Sequence, residues 1–328
     1  MTSYYKGPVS DHFNGKRFYN PGKPQNQGFF ELLKWRITAK PKPWPLSMKN
    51  SLEDKPPSRV EGSDLRVTSV GHVTFLIQSQ GINVLTDPVW SDRASPFTWL
   101  GPKRVHPPGI RFEYLPCIDI ILLSHNHYDH LDLTTLKKLW ERDKPRIITP
   151  LGNDAIIHAF DSKIGVEVYD WGDTLKISPY MNIHLEPMQH WSARGIFDRN
   201  KALWASFVIT TPNGNIYFVG DSGYGQGDYF RQALQKYHPF RLALLPIGAF
   251  KPEWFMAYSH MSPVEAIKAF RDLEQPYSIP MHYSVFPLAD DGYDEALHIF
   301  QEEAQKQSID LNVFKPLQVG ECWFVPEK

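Results

Sequence analysis

Three histidines and one aspartate fall within six consecutive residues of this 328-residue chain. They follow the pattern H-x-H-x-D-H and are His125, His127, Asp129 and His130. Imidazole nitrogens and carboxylate oxygens are ligands that bind zinc at about 2.0–2.2 Å. A polar loop whose histidines only form hydrogen bonds is the alternative, but chance rarely produces four such residues at this spacing. The motif therefore predicts a metal site.

A predicted strand must position this motif. The apolar run at 118–123 is rich in isoleucine and leucine and directly precedes the motif, as is typical of a buried strand. Alternate residues of extended backbone face the same way, so His125, His127 and Asp129 can converge on one side. We expect His130 to turn inward as a helix begins, with Asp132 as its N-cap.

Three later residues each follow or end an apolar, strand-like segment: His190, Asp221 and His282. Gly220, just before Asp221, permits a close approach of the backbone to bound ions. Ligands at successive strand ends gather at one edge of a sheet. An isolated histidine is more often an ordinary hydrogen-bonded residue, but together with the motif these residues complete a set of five histidines and two aspartates.

Two further residues remain ambiguous in the sequence. Asp87 ends a predicted strand and is either a hydrogen-bonding support for the site or a turn cap, with equal weight. His72 follows Gly71 at a strand junction and is equally ambiguous, so we do not assign it as a ligand.

The remaining pattern predicts an α/β domain. Three alternating or apolar runs between 65 and 86 indicate a β-meander, and Asn213-Gly214 indicates a hairpin turn. Ser262 and Glu265 form a capping box that opens a helix. Strand groups with interspersed helices favour sheets packed between helices.

Residues 1–63 differ from the remainder, and we expect them to form a proline-rich arm on a domain at 64–328. Prolines recur between 21 and 57 and prevent long helices, leaving one short helix near 29–36. Its aromatic and basic side chains suit an anionic lipid surface. Packing of the aromatics on the main domain is the favoured interpretation.

Composition excludes several classes of protein. The net charge of −1, from 35 basic and 36 acidic residues, gives no reason to expect nucleic acid as a partner. The two cysteines form no zinc or redox pattern. No signal-peptide core and no run of about 18 apolar residues is present. We expect a soluble, cytoplasmic protein, and leave peripheral membrane association and a homodimer open.

The H-x-H-x-D-H motif followed by a lone His, a Gly-Asp pair and a final His resembles the metallo-β-lactamase superfamily over residues 64–328. More specific segments resemble its N-acylphosphatidylethanolamine-hydrolysing phospholipase D branch. These segments are 85–96, 101–104, 188–194, 203–204 and 254–260.

The resemblance implies an αββα sandwich with a dinuclear zinc site. One ion would be bound by His125, His127 and His190, and the other by Asp129, His130 and His282. Asp221 would bridge the two ions. The resemblance also implies that His260 lies over the metals and assists catalysis, and that substrate enters across an apolar face. The segments 29–44 and 96–100 are the candidates for that face.

The expected reaction is hydrolysis of N-acylphosphatidylethanolamine to N-acylethanolamine and phosphatidic acid. A hydroxide shared by the two zinc ions would attack phosphorus, oriented by Asp129, while His260 protonates the leaving group. The alternative is a hydrolase of the same fold that acts on lactones or soluble phosphodiesters. A nuclease would need a basic surplus that is absent, and the complete ligand set argues against a non-catalytic scaffold.

Overall fold

Two β-sheets pack face to face in the computed structural model, which describes residues 4–23 and 28–327. The first sheet consists of β1 (Leu65–Gly71), β2 (Thr74–Ser79), β3 (Ile82–Thr86), β4 (Ile120–Leu122), β5 (Arg146–Pro150), β6 (Glu167–Tyr169) and β13 (Cys322–Phe324), in the spatial order β13-β1-β2-β3-β4-β5-β6. The second consists of β7 (Thr174–Ser178), β8 (Met181–Glu186), β9 (Ser206–Thr210), β10 (Asn215–Phe218), β11 (Phe240–Pro246) and β12 (Tyr277–Met281), in the order β12-β11-β10-β9-β8-β7.

Helices cover the outer faces of both sheets. The helices of the described chain are α1 (Phe29–Thr38), α2 (Leu133–Asp143), α3 (Asn153–Phe160), α4 (Asp228–Tyr237), α5 (Glu253–Met256), α6 (Pro263–Asp272) and α7 (Glu295–Lys306), with a short 3₁₀ turn at Phe112–Tyr114. The first sheet carries α2 and α3, whereas α4, α6 and α7 pack against the second. The expected αββα sandwich is confirmed.

The period of two along each strand explains this layering. In β2, Phe75 and Ile77 face inward and join the core between the sheets. Leu76, between them, faces outward and joins the cluster that contains Leu136 and Leu139 of α2. The central strands of the first sheet therefore bury both faces, and the two layers of core hold the sheet in a fixed position relative to the second sheet.

Capping residues determine where the helices begin near the site. The Asp132 side chain accepts hydrogen bonds from the backbone N–H groups of Thr134 and Thr135 at the start of α2. Ser262 and Glu265 form the predicted capping box of α6. Both caps satisfy N–H groups that a helix leaves without partners, so both helices begin where the sequence indicates.

The described part of the N-terminal segment packs on the sandwich. Phe13 and Phe18 are buried against Trp204. Farther along, the Trp35 ring stacks on Phe255 at a centroid distance of 5.1 Å. The separation of an arm at 1–63 from a domain at 64–328 stays a prediction.

Within residues 4–23 and 28–327, no helix has the length and apolar character required to cross a bilayer.

Candidate active site

The predicted metal ligands meet where strand ends of the two sheets face each other. The motif residues follow β4 of the first sheet, while His190, Asp221 and His282 follow β8, β10 and β12 of the second. Candidate ligand atoms lie within 4.8 Å of one another in two groups of four residues. The first group contains His125, His127, His190 and Asp221, and the second contains His72, Asp129, His130 and His282. A smaller set of Asp221, His260 and His282 meets the same distance and shares a residue with each group.

A tight turn folds the motif back on itself. The backbone N–H groups of His130 and Leu131 both donate to the carbonyl oxygen of His127, at 3.1 and 2.9 Å. This turn leads directly into α2, which Asp132 caps. His130 therefore points back toward the other motif residues.

Asp221 lies at the centre of the two groups. Its Oδ2 atom is 3.0 Å from Nε2 of His130 and 3.1 Å from Nε2 of His282. The same oxygen is 3.9 Å from Nε2 of His190 and 3.8 Å from Nδ1 of His260. Its Oδ1 atom is buried and has no hydrogen-bond partner among the described residues. A carboxylate in this position can contact both halves of the cluster.

Two glycines allow the backbone to approach this centre. Gly220 has φ of +67°, and a Cβ atom there would lie 2.9 Å from Cβ of Ser124. A Cβ atom on Gly248 would lie only 1.8 Å from the carbonyl oxygen of His282. Larger residues at either position would displace the strand ends that carry the ligands.

Hydrogen bonds on the outer side orient the imidazoles. Nδ1 of His190 is 2.9 Å from the carbonyl oxygen of Ser259, which can only accept. Nδ1 of His125 is 2.9 Å from Oγ of Ser124. Protonation at Nδ1 leaves the Nε2 lone pair directed into the cluster, as a metal ligand requires.

Asp87 supports the site rather than only capping a turn. Its Oδ2 atom lies 2.7 Å from Nδ1 of His130, and its Oδ1 atom accepts from the backbone N–H of Ser124 at 2.7 Å. The side chain is fully buried. A carboxylate behind a histidine fixes the ring orientation and makes the inner nitrogen a better ligand.

The first group fits a divalent ion. Nδ1 of His127 lies 2.8 Å from Nε2 of His125 and 3.3 Å from Nε2 of His190. Two nitrogens bound tetrahedrally to one zinc ion at 2.0–2.1 Å would lie about 3.3 Å apart. Burial and the neighbouring imidazoles hold the pKa of His125 well below its usual value. The nitrogens are therefore neutral at pH 7, as metal ligands must be.

The imidazoles of His130 and His282 in the second group lie against two carboxylates, Asp129 and Asp221. Burial opposes protonation of His282, but Asp221 and Asp129 outweigh it and raise the pKa of His282 to about 9. The same carboxylates raise the pKa of His130 well above its usual value. These aspartates thus create a strongly negative environment, which a divalent cation would neutralise in place of protons.

His72 belongs to the second group, although we did not predict it as a ligand. Its Nε2 atom lies 2.9 Å from Oδ2 of Asp129, and its carbonyl oxygen accepts from the backbone N–H of His282 at 3.0 Å. It sits in the turn between β1 and β2 with φ of +61°, next to Gly71 with φ of +129°. The Gly-His pair at a strand junction is the only sequence signal of this position.

His260 lies beside the cluster, in the segment between α5 and α6. Its ring centroid is 5.2 Å from that of His190 and 5.4 Å from that of His282. Burial lowers the pKa of His260 to about 4. The imidazole is therefore neutral at pH 7 and must accept a proton before it can donate one as an acid.

A cavity of about 400 Å³ opens over the cluster. His127, Asp129, Asp221 and His260 contribute to its lining. The walls are mainly apolar and come from α1, α5 and the loops around them. The apolar and aromatic wall residues are Leu32, Trp35, Ala94, Tyr128, Trp191, Ala249, Phe255, Met256 and Leu288.

Comparison with known proteins agrees with this geometry. A family model described as a beta-lactamase superfamily domain matches residues 82–283. The chain is 32% identical over 341 residues to N-acyl-phosphatidylethanolamine-hydrolyzing phospholipase D 1 of Caenorhabditis elegans, covering 94% of this chain and 93% of that protein. It is 36% identical over 219 residues to the mitochondrial N-acyl-phosphatidylethanolamine-hydrolyzing phospholipase D of Saccharomyces cerevisiae, covering 66% of this chain and 46% of that one.

A solved structure shows the same fold. The isothiocyanate hydrolase from Delia radicum gut bacteria superposes with a TM-score of 0.60 at 18% identity, covering 79% of this chain and 98% of that one. Fold, histidine-aspartate cluster and family together define a metal-dependent hydrolase. The chain belongs to the metallo-β-lactamase superfamily, in the branch that contains the N-acyl-phosphatidylethanolamine-hydrolyzing phospholipases D.

Proposed function

We propose that the protein is a zinc-dependent phosphodiesterase that hydrolyses N-acylphosphatidylethanolamine-type phospholipids to N-acylethanolamine and phosphatidic acid. The observation that carries this proposal is the apolar cavity placed directly over the candidate metal cluster. Water would add its oxygen to phosphorus while the bond from phosphorus to the ethanolamine oxygen breaks. The proton released by water would end on that ethanolamine oxygen.

The two groups of side chains would hold the metal ions. The set for one ion is His125, His127 and His190, the set for the other is Asp129, His130 and His282, and Asp221 would contact both. Two divalent ions held there would supply Lewis-acid chemistry that activates water and neutralises charge on the phosphoryl group. Asp129 also lines the cavity, where its carboxylate can accept a hydrogen bond from the attacking water and orient it.

His260 would move the proton. It lines the cavity beside the metal residues, and its Nδ1 atom is buried without a hydrogen-bond partner in the described chain. A neutral imidazole in this position can take a proton from water and pass it to the leaving oxygen. General acid–base catalysis of this kind contributes about 10²–10⁴-fold to a rate.

The cavity walls suit a lipid. Trp35 of α1 and Phe255 of α5 stack at 5.1 Å and form part of one wall. Exposed apolar residues lie close in sequence to the residues that line the cavity. Ile37 of α1 is 75% exposed, Trp99 is five residues after Ala94 and 72% exposed, and Ile196 is three residues before Arg199 and 88% exposed. Exposed apolar groups around a cavity mouth are typical of surfaces that contact a membrane. Peripheral contact with the bilayer would let an acyl chain enter without crossing water.

Product analysis tests the proposal. Zinc-loaded protein is mixed with N-acylphosphatidylethanolamine in detergent micelles, and the lipids are identified by mass spectrometry. We expect N-acylethanolamine and phosphatidic acid in equal amounts. Protein that binds two metal ions per chain but releases neither product would contradict the proposal and direct the search to lactones and soluble phosphodiesters.

A variant separates catalysis from metal binding. We expect His260→Ala to retain its zinc and to lose about 10²–10⁴-fold in turnover, because only the proton transfer is removed. His298→Ala changes an exposed histidine of α7 and serves as the matched control. Loss of zinc from His260→Ala equal to its loss of activity would show that His260 is a ligand instead.

A further inference from the structure

Arg199 occupies an unusual position in the cavity. It lines the same space as the candidate metal residues. Its guanidinium carbon lies 4.6 Å from the ring centroid of Trp191, and the Trp191 ring is 4.4 Å from that of His127. The planar cation is thus held against an aromatic face one side chain away from the cluster.

Arg199 has a cation–π contact with Trp191 but no counter-ion among the described residues. Within residues 4–23 and 28–327, its side chain makes no hydrogen bond or ion pair, and the titratable groups that act on its pKa are Tyr258 and the like-charged Arg17. Burial lowers the pKa of Arg199, but a guanidinium remains charged at pH 7. Partial burial of a charge without a counter-ion costs free energy, and an anionic ligand in the cavity would reduce that cost.

Arg194 shows how a structural arginine in the same loop differs. Its Nη1 atom donates to the carbonyl oxygens of Asn126 and Leu131, at 3.0 and 2.8 Å, and its guanidinium packs over the Tyr128 ring. Those donors are used to hold the metal-binding loop in place. Arg199 lies on the same loop and lines the cavity, but its donors make no hydrogen bond within the described part of the chain.

We propose that Arg199 forms an anion-binding subsite that receives the phosphoryl group of a glycerophospholipid in this cavity. The inference rests on the proposed function and assigns to Arg199 the selection of substrates that carry a phosphoryl group. The planar fork of a guanidinium binds phosphate oxygens through two parallel hydrogen bonds, and the Trp191 face keeps the fork in one orientation. A neutral lactone or ester of the same size cannot form these bonds, so the subsite favours anionic diesters.

Binding of two matched lipids tests the subsite without using turnover. Zinc-loaded protein is titrated by calorimetry with dihexanoyl phosphatidate and with dihexanoylglycerol, at concentrations where both are monomeric. The two ligands share their acyl chains and differ in the phosphoryl group. We expect Arg199→Gln to bind phosphatidate about 10- to 100-fold more weakly, because charge-assisted hydrogen bonds are lost. Its affinity for dihexanoylglycerol should not change.

Two further variants sharpen this test. Arg199→Lys keeps the charge but not the fork, and should retain part of the preference for phosphatidate. Arg231→Gln removes an arginine that pairs with Asp228 and Asp272 outside the cavity and should behave as the wild type. An unchanged phosphatidate affinity in Arg199→Gln would overturn the proposal. Equal weakening of both ligands would also overturn it, because it would show that Arg199 only packs the wall.

Failure of the subsite differs from failure of the proposed function. If N-acylphosphatidylethanolamine is not cleaved but Arg199→Gln still loses phosphatidate affinity, the subsite stands and the substrate is another phosphoryl lipid. If N-acylphosphatidylethanolamine is cleaved and Arg199→Gln binds phosphatidate as the wild type does, the function stands and the subsite is wrong.

Discussion

Removing the His72 side chain should lower the affinity of the protein for one metal ion and leave its affinity for the other unchanged. Nε2 of His72 lies 2.9 Å from the Asp129 carboxylate, and its backbone carbonyl holds the N–H of His282. Both contacts are on residues assigned to the second ion. His72→Ala removes the first contact and leaves the backbone contact in place, so its effect should concentrate on Asp129.

The expected size of this effect follows from the hydrogen bond between His72 and Asp129 that is lost. A hydrogen bond to a charged group contributes about 1.5–3 kcal/mol net, and each 1.4 kcal/mol is tenfold in affinity. We therefore expect the second ion to bind about 10- to 100-fold more weakly, which agrees with the usual effect of losing a residue that supports a ligand. His125, His127 and His190 do not depend on His72, so the first ion should retain its affinity.

Competition with a chelator measures both affinities, and the metal content per chain is determined separately. His72→Gln should restore part of the affinity, because its amide can still donate to Asp129. His106→Ala provides a matched control, since His106 is held by Asn50 at 2.9 Å and by Tyr293 at 2.6 Å and belongs to none of the candidate metal-binding groups. An equal loss of affinity for both ions in His72→Ala, or no loss of affinity for either, would refute the reasoning.

Two other substitutions test the centre and a distant ion-pair network. Asp221→Ala should lose both ions, because Oδ2 of Asp221 lies between the two groups. The measurement is the metal content per folded chain, and retention of one full ion would contradict a bridging role. Burial opposes ionisation of Glu295, but Lys251 and Lys42 outweigh it and lower the pKa of Glu295 to about 2 from 4.5. The ionised form therefore stabilises the fold above pH 4.5, and Glu295→Gln should reduce the free energy of unfolding at pH 7 by about 1–2 kcal/mol after allowance for solvent screening. The difference between variant and wild type, measured by urea unfolding, should shrink as the pH falls from 4.5 toward 2; a difference that does not vary with pH would exclude this cause.

The sequence contained enough information to find most of the candidate site because the pattern is local. The four motif residues lie within one turn after β4, and the later residues each directly follow a strand. Alternating or apolar runs in the sequence indicate strands, so the strand ends can be located without knowing which strands are neighbours. Helix caps such as Asp132 and Ser262 were found for the same reason.

Contacts between distant parts of the chain could not be found in this way. His72 follows β1 and Asp129 follows β4, and the tertiary fold rather than any local pattern brings the two side chains into contact. A lone histidine in a turn has no distinguishing pattern. The strand β13 has three residues and exists through its pairing with β1. The helix α3 begins after Gly152, which offers no side-chain cap, and was not predicted. Each of these elements is determined by tertiary contacts rather than by local sequence.

The distribution of ligands over the two sheets explains why the cluster requires the whole sandwich. Each proposed ion takes two ligands from the loop after β4 of the first sheet and one from a strand end of the second, and Asp221 of the second sheet contacts both groups. Neither sheet alone presents a complete set. Metal binding would therefore join the two sheets at their shared edge, and the binding free energy would stabilise their packing. The loops that line the cavity lie outside this rigid edge, so they can vary and select different substrates while the cluster is unchanged.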